Sequence, residues 1–251
     1  MITDQISHQL SVSKEINRIV SLVPSQTEFL FSIGLEEKIK GVTLFCDFPK
    51  QAKKIAQIVG GTKKLNLALI RKLNPCLIVA NKEENSKQDI EALQKEFPVW
   101  TSDISSIDDA FEMMESLGKI LKEQKRVESM LSNIKESFKS IKKVNKTAVY
   151  LIWNNPIMVA GKDTFISKMM KLAGLKNLIL NSRYPEISKE ELANLKPDFI
   201  LLSSEPFPFK TKHLNEFKLA NSSPLLVDGT YFSWYGSRLS GFSNYIEQEF
   251  R

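Results

Sequence analysis

Cysteine and histidine are scarce in this 251-residue sequence, which contains two residues of each kind. Cys46, Cys76, His8 and His213 do not form the closely spaced ligand sets of zinc sites, and no HExxH or CxxC motif is present. No serine-histidine-acid set and no paired-carboxylate signature can be argued from residue spacing. The sequence therefore predicts neither a metal centre nor catalytic residues.

Long apolar runs and a leader segment are also missing. No stretch approaches the ~20 apolar residues that a membrane-spanning helix requires. The N-terminal segment MITDQISHQLSVSKEINRIV shows no basic region followed by an apolar one and no small-residue cleavage site. We therefore expect a soluble protein that is not embedded in a membrane. It is expected in the cytoplasm as the sequence stands, or in the periplasm if the natural chain begins earlier.

Glycine-rich phosphate loops are absent in their standard forms. The segment GGTKK at residues 60–64 lacks the GxxxxGK[ST] spacing, and no GxGxxG fingerprint occurs, so we interpret it as a turn whose backbone could face a ligand at Thr62. The net charge of +6 comes largely from lysines spread along amphipathic helices. No nucleic-acid-binding motif accompanies that charge. The sequence thus predicts neither a nucleotide site nor nucleic acid binding.

What the sequence does contain is a strand-turn-helix plan that recurs in both halves. In RIVSLVPSQTE the apolar run 19–23 ends at Pro24, and polar residues then open a helix. Such alternation is typical of parallel sheets covered by helices. The fold class predicted is α/β, with two Rossmann-like lobes that contain parallel-rich sheets. The predicted strands are 19–23, 39–43, 77–80, 99–101, 148–153, 199–203 and 225–228, and the predicted helices are 27–34, 67–73, 85–97, 164–173, 188–194 and 235–250.

Residues 122–142 connect these two halves. The segment lacks proline and glycine, and its apolar residues recur at helical spacing with charged residues on the other face. It predicts a single long α-helix, which would be a stiff connection rather than a flexible linker. The predicted domains are an N-terminal α/β lobe at 1–121, an interlobe helix at 122–144 and a C-terminal α/β lobe at 145–251.

Aromatic and polar side chains follow several predicted strands. Ligands of open parallel sheets bind outside the carboxyl ends of the strands. Apolar faces combined with a few oriented polar groups suit a flat organic ligand. The candidate ligand-binding residues from this placement are Pro24, Phe45, Cys46, Thr62, Lys82, Glu83, Trp153, Glu205, Trp234, Tyr235 and Arg238.

Several segments, taken in order, resemble one protein family. They are RIVSLVPSQTEFLFSIGL, CDFP, VGGTKKLNLALIRKLNPCLIVANKEEN, WNNPIMVAGKDTFISKMMKLAG, RYPEISKEEL and SWYGSRL. From Arg18 onward the chain is similar to the substrate-binding proteins of ABC importers that carry cobalamin and iron-siderophores, and most similar to the cobalamin-binding branch. The resemblance implies two lobes joined by a rigid helix, a ligand between the lobes and no catalysis. It also implies a corrinoid or metal-chelate ligand, no tightly bound cofactor and an ABC permease as partner.

The resemblance assigns roles to individual positions. Phe45 falls where the cobalamin binders place a tyrosine against the corrin, Trp153 where they place a phenylalanine and Tyr184 where they place a tryptophan. Asn81 replaces a tryptophan of the first lobe. Three of the four ring positions therefore keep an aromatic residue, and one does not.

Two further positions concern the permease. Glu190 matches the glutamate with which the second lobe of the family docks onto permease arginines, whereas Lys87 occupies the first-lobe position. This departure leaves a second function open, a cytoplasmic enzyme or accessory protein that handles a corrinoid or metal chelate on the same scaffold. Such a protein would use Glu83, Glu205 and Arg238 on the bound ligand.

Overall fold

A computed structural model describes residues 1–12 and 14–250, so that Arg251, the last residue of the predicted C-terminal lobe, lies outside the described part. The chain divides into two compact units. The first comprises Met1–Ile104, Asp108–Leu131 and Tyr235–Arg238, and the second comprises Ser105–Ile107, Ser132–Trp234 and Leu239–Arg251. The predicted domain boundaries at residues 121 and 145 stay a prediction.

The first unit is built on a parallel sheet of five strands, in the order β5-β4-β3-β6-β7. Its central strands are apolar and fully buried, as strands covered on both faces must be. Strands and helices alternate along the chain, as the sequence predicts. The elements between residues 2 and 139 are β1 Ile2–Thr3, β2 Gln9–Leu10, β3 Ile19–Ser21, α1 Pro24–Ser32, β4 Ile39–Val42, α2 Ala52–Ile55, β5 Gln57–Ile58, α3 Leu67–Leu73, β6 Leu77–Asn81, α4 Lys87–Gln94, β7 Val99–Ser102, α5 Ile107–Leu121 and α6 Gln124–Lys139.

The N-terminal residues form an antiparallel hairpin, β1-β2, that the sequence analysis did not predict. The carboxylate of Asp4 accepts hydrogen bonds from the backbone N–H groups of Ile6 and His8 at 3.1 and 2.7 Å and of Thr101 at 3.0 Å. The N–H of Gln5 donates to the carbonyl of Thr101 at 3.2 Å. The hairpin thus binds backbone groups of β7, which is the last strand of the sheet and would otherwise present an open edge.

The second unit contains a parallel sheet in the order β10-β8-β11-β12, and a short strand pairs antiparallel with β8. Its core joins residues of β8 and β11 to Phe209 and Phe217. The predicted strand 199–203 has the bounds found in the structure. The elements are β8 Lys146–Trp153, β9 Met158–Val159, α7 Phe165–Ala173, β10 Leu175–Asn177, α8 Lys189–Leu195, β11 Phe199–Ser203, α9 Thr211–Glu216, β12 Ser223–Val227, α10 Thr230–Ser233 and α11 Phe242–Glu249.

The predicted helix 122–142 is shorter at both ends. Helix α6 covers Gln124–Lys139, and it is preceded by a turn in which Lys122 has a φ of 63°. A left-handed backbone at Lys122 cannot continue a right-handed helix, so α5 ends and α6 begins anew. The two helices meet where Gly118 faces Val127, because a Cβ on Gly118 would lie 2.8 Å from Val127 Cγ2.

Replacing Gly118 with valine is expected to lower the free energy of unfolding by about 2 kcal/mol, because overpacking a close contact typically costs ~1–3 kcal/mol. Urea denaturation measures this change. Lys119→Val is the matched control, since Lys119 is the exposed neighbour on the same helix. Adding Val127→Ala to Gly118→Val should recover part of the loss. Equal stability of Gly118→Val and Lys119→Val would contradict the close contact.

Candidate functional site

Within each sheet, parallel strands bring their carboxyl ends to one edge, and candidate residues lie at these edges. In the first unit Phe45 follows β4, and Lys82 follows β6. In the second unit Trp153 ends β8, and Glu205 follows β11 by two residues. The carboxyl edge of a parallel sheet is where the ligands of such sheets bind.

Two of the predicted ring contacts are exposed. Phe45 is 53% exposed and Trp153 is 39% exposed, whereas Phe29 and Phe232 are fully buried. The Phe45 ring rests against Gly61, where a Cβ would lie 3.3 Å from Phe45 Cε2. Because residue 61 has no side chain, the Phe45 ring packs directly against the backbone at this position.

Two contacts fix the side chain of Trp153, a hydrogen bond from its indole nitrogen and an edge-on contact with another ring. Its Nε1 donates a hydrogen bond to the carbonyl of Asn155 at 3.1 Å, and its ring meets Phe207 edge-on with 5.6 Å between centroids. Phe207 in turn packs on Phe209 and His213, with centroid separations of 4.7 and 5.5 Å. An aromatic cluster thus supports a partly exposed indole, which suits stacking against a planar ligand.

Asn81, which the resemblance places at a ring position, is buried at the end of β6. Its side-chain amide donates to the carbonyl and hydroxyl of Ser102 at 3.3 and 2.9 Å. Its side-chain oxygen accepts from the N–H groups of Glu83 and Glu84 at 2.8 and 3.0 Å. Asn81 therefore shapes the turn after β6 and has no exposed ring to offer a ligand.

The other candidates on this turn are engaged with the protein. Lys82 pairs with Asp103 at 2.5 Å. The ammonium group of Lys63 donates to the carbonyl of Glu83, and the amide of Asn85 donates to the carbonyl of Thr62 at 3.1 Å. These bonds fix the backbone of residues 62 and 83 at the edge of the sheet.

Pro24 and Cys46 lie in the interior of the first unit. Pro24 is the first residue of α1 and is buried. The Cys46 sulfur lies 3.2 Å from the hydroxyl of Thr27 and 3.3 Å from that of Thr43, and the residue is fully buried. Burial raises the pKa of the Cys46 thiol, so the group stays protonated at neutral pH. Its position is that of a structural residue.

Glu205 and Trp234 are bonded to one another in the second unit. Glu205 Oε1 accepts hydrogen bonds from Ser233 Oγ at 2.6 Å and from Trp234 Nε1 at 2.8 Å. The hydroxyl of Ser203, which accepts from Tyr150 at 3.0 Å, donates to the Glu205 carbonyl at 2.5 Å. Trp234 is only 7% exposed. The structure therefore places the Glu205 carboxylate where it orients Trp234.

Tyr235 and Arg238 belong to the first unit. Tyr235 is buried, and burial raises the pKa of its hydroxyl well above the ordinary value. Arg238 donates to both carboxylate oxygens of Glu28, from Nε at 3.2 Å and from Nη2 at 2.6 Å. Its guanidinium carbon also lies 4.8 Å from the centroid of the Phe48 ring. Arg238 thus binds two side chains of its own unit.

The remaining positions taken from the family lie at the surface. Tyr184 is half-buried and has the guanidinium carbon of Arg183 5.5 Å from its ring centroid. Glu190 is exposed in the first turn of α8, and Lys87 begins α4, with its ammonium group 3.7 Å from Glu91. The charge at the two predicted docking positions is therefore opposite in sign.

Among residues 1–12 and 14–250, no group of three or more histidine, cysteine, aspartate or glutamate side chains is arranged to hold a metal ion. Within the same residues, no helix combines the length and apolarity needed to cross a membrane.

Two residues at the edge of the first sheet are not among the predicted ligand-binding residues. Phe48 is 39% exposed in the same loop as Phe45, and Gly61 supports the Phe45 ring. The CDFP segment contains Phe48, but a phenylalanine in a loop packs inward as readily as outward. No pattern in the sequence indicates that Gly61 lies beneath a ring that is distant along the chain.

The comparison with protein families decides the assignment. Residues 19–223 match the family described as periplasmic binding protein. The chain belongs to this family. A relative, an uncharacterized ABC transporter substrate-binding lipoprotein of Bacillus subtilis, is 27% identical over 80% of this chain and 68% of its own length. The vitamin B12-binding protein of Pectobacterium carotovorum is 24% identical over 75% of this chain and 72% of its own length.

A solved structure agrees with this assignment. A possible iron-binding (periplasmic solute-binding) protein from Staphylococcus epidermidis has a TM-score of 0.77 and 25% identity, and the alignment covers 95% of this chain and 100% of that chain. The resemblance and the α/β fold class predicted from the sequence are confirmed, and so is a binding rather than a catalytic function. The expectation of a cytoplasmic protein finds no support, because the Bacillus relative is a lipoprotein and the family is named for periplasmic proteins.

Proposed function

We propose that this periplasmic binding protein binds a corrinoid of the cobalamin type, or a comparable planar metal chelate, and releases it chemically unchanged. The observation that carries the proposal is the exposure of Phe45 and Trp153 at the carboxyl edges of their sheets. Each ring is supported from within its own unit, by Gly61 and by Phe207 respectively. Fixed, exposed rings favour a ligand with a broad flat face.

Relatives support the corrinoid in particular. Vitamin B12-binding proteins from Pectobacterium, Photorhabdus and Yersinia are 24 to 25% identical to this chain. Each aromatic contact adds ~1 kcal/mol beyond the buried area, so several such contacts support micromolar or tighter binding. No cofactor is expected to remain tightly bound between rounds of transport.

Binding without turnover fits the polar residues at these edges. Glu205 orients Trp234, Arg238 binds Glu28, and Lys82 pairs with Asp103. The family and the relatives named above consist of binding proteins. We therefore do not propose an enzymatic role on bound ligand.

We further propose that an ABC permease receives the ligand outside the cytoplasm. In the second unit, the exposed carboxylate of Glu190 is the proposed partner of an arginine of the permease. Lys87 offers a positive charge in the first unit, so the permease residue opposite it should be acidic or neutral.

Isothermal titration calorimetry with cyanocobalamin, dicyanocobinamide and hemin tests the proposed ligand class. We expect saturable binding of a corrinoid at a single site, with a dissociation constant in the micromolar range or below. Hemin is also planar, but it carries two carboxylates. Binding of hemin as tight as that of the corrinoids would mean that stacking on the aromatic rings of the protein alone selects the ligand. No heat with either corrinoid, from protein shown to be folded by circular dichroism, would reject the corrinoid.

A further inference from the structure

We propose that Phe48, in the first unit, is an additional ring contact for the proposed ligand, and that Arg238, locked by Glu28, is the positioning residue that presents the Phe48 ring. This inference rests on the proposed function. It also changes the role predicted for Arg238, from a polar contact with the ligand to a support for an aromatic one.

The loop after β4 has an unusual concentration of exposed apolar side chains. Leu44 is 51% exposed, Phe45 is 53% exposed and Phe48 is 39% exposed. Isolated apolar residues on a protein surface are common, but a group of them marks a binding surface. Because the loop lies at the carboxyl end of β4, this surface belongs to the edge at which ligands of parallel sheets bind.

Arg238 cannot easily leave its place behind this loop. Two of its nitrogens bond the two oxygens of Glu28, at 3.2 and 2.6 Å. The side chains of Arg238 and Glu28 are only 15% and 19% exposed. Removing the guanidinium would leave a largely buried carboxylate without its bidentate partner, which is strongly unfavourable. The pair therefore forms a rigid support.

The guanidinium of Arg238 lies against the Phe48 ring. The distance from its central carbon to the ring centroid is 4.8 Å, inside the ~6 Å range of cation–π attraction. The charge on the guanidinium is balanced by Glu28, so the support adds little net charge to the edge. A ring held in this way before binding loses less rotational freedom when a ligand packs on it.

Phe48 differs from a residue that merely fills the core. Phe29, which follows Glu28 on α1, is fully buried, whereas Phe48 keeps 39% of its surface exposed. A phenylalanine that only filled the core would be buried and would not require a guanidinium held beside its exposed ring. The combination of a fixed support and an open surface is what a binding contact requires.

A double-mutant cycle on cyanocobalamin affinity tests the inference. Phe48→Ala is expected to raise the dissociation constant about tenfold, and Phe48→Trp should retain binding within about threefold, because an interface ring contact commonly has effects of this size. Arg238→Lys should raise the constant several-fold in the natural background and leave it unchanged in the Phe48→Ala background. Leu180→Ala is the control for loss of an exposed apolar side chain, since Leu180 is 74% exposed.

The outcomes separate this inference from the proposed function. If the natural protein binds cyanocobalamin and Phe48→Ala binds equally well, Phe48 is not a contact and the inference fails alone. If Arg238→Lys weakens binding equally in both backgrounds, Arg238 does not act through Phe48 and its positioning role is overturned. If the natural protein binds neither corrinoid, the proposed function and the inference fail together. Should Arg238→Lys not fold, Glu28→Gln loosens the same support and takes its place in the cycle.

Discussion

Replacing Trp153 with alanine is expected to raise the dissociation constant for cyanocobalamin at least tenfold, a loss of ~1.4 kcal/mol in binding free energy. The side chain is 39% exposed at the end of β8, and Phe207 packs edge-on against it. Alanine removes the whole indole, and with it the largest ring that the second unit exposes among the proposed contacts. Calorimetric titration of the purified variant measures the change.

Two further variants make this result specific. Trp153→Phe should keep most of the affinity, because a smaller ring still stacks on the ligand. Lys135→Ala changes an exposed residue of α6 and should leave the affinity unchanged. An equal loss in Lys135→Ala and Trp153→Ala would mean that the binding site has been misplaced.

Replacing Asn81 with alanine is expected to lower the free energy of unfolding by about 3 kcal/mol, since each lost hydrogen bond contributes ~1 kcal/mol and buried partners lose theirs as well. The Asn81 side chain bonds Ser102 and the N–H groups of Glu83 and Glu84. Urea denaturation followed by circular dichroism measures this loss of stability.

Lys82→Ala is the matched control for Asn81→Ala, because Lys82 is the next residue and its ion pair is largely exposed. Exposed ion pairs contribute ~0–1 kcal/mol, so the control should change stability little. A variant Asn81→Ala as stable as Lys82→Ala would contradict the role given to the buried amide. Asn81→Trp should also destabilise the protein, because the residue is only 2% exposed and an indole is much larger than the amide it would replace.

The parallel strands could be predicted from the sequence because they are buried on both faces. The apolar runs 77–80 and 199–203 correspond to β6 and β11 within one residue at each end. Strands covered by helices on both sides read as continuous apolar runs, and their flanking proline and polar residues mark the turns.

Other elements of the fold have weaker or less regular signals in the sequence. Helix α5 was not predicted although its buried residues recur at helical spacing. The predicted helix 235–250 is broken, because Gly236 has a φ of 121° and the regular helix α11 begins only at Phe242. The β1-β2 hairpin has strands of two residues, which are too short for a periodicity to show.

The candidate site could be predicted as an edge but not residue by residue. Trp153 ends β8 and Trp234 follows α10, and one is 39% exposed and the other 7%. Trp234 Nε1 donates to Glu205, which is distant in sequence, whereas Trp153 Nε1 donates to the carbonyl of Asn155, two residues away. Exposure of a ring depends on such tertiary contacts, and local sequence does not encode them.

Equilibrium dialysis against cyanocobalamin, followed by mass spectrometry of the released ligand, tests most directly that this chain is a binding protein for a corrinoid. The account predicts that the protein retains the ligand at a single saturable site and that denaturation releases it with its mass unchanged. Failure of the folded protein to retain cyanocobalamin, or release of a chemically altered corrinoid, would contradict it.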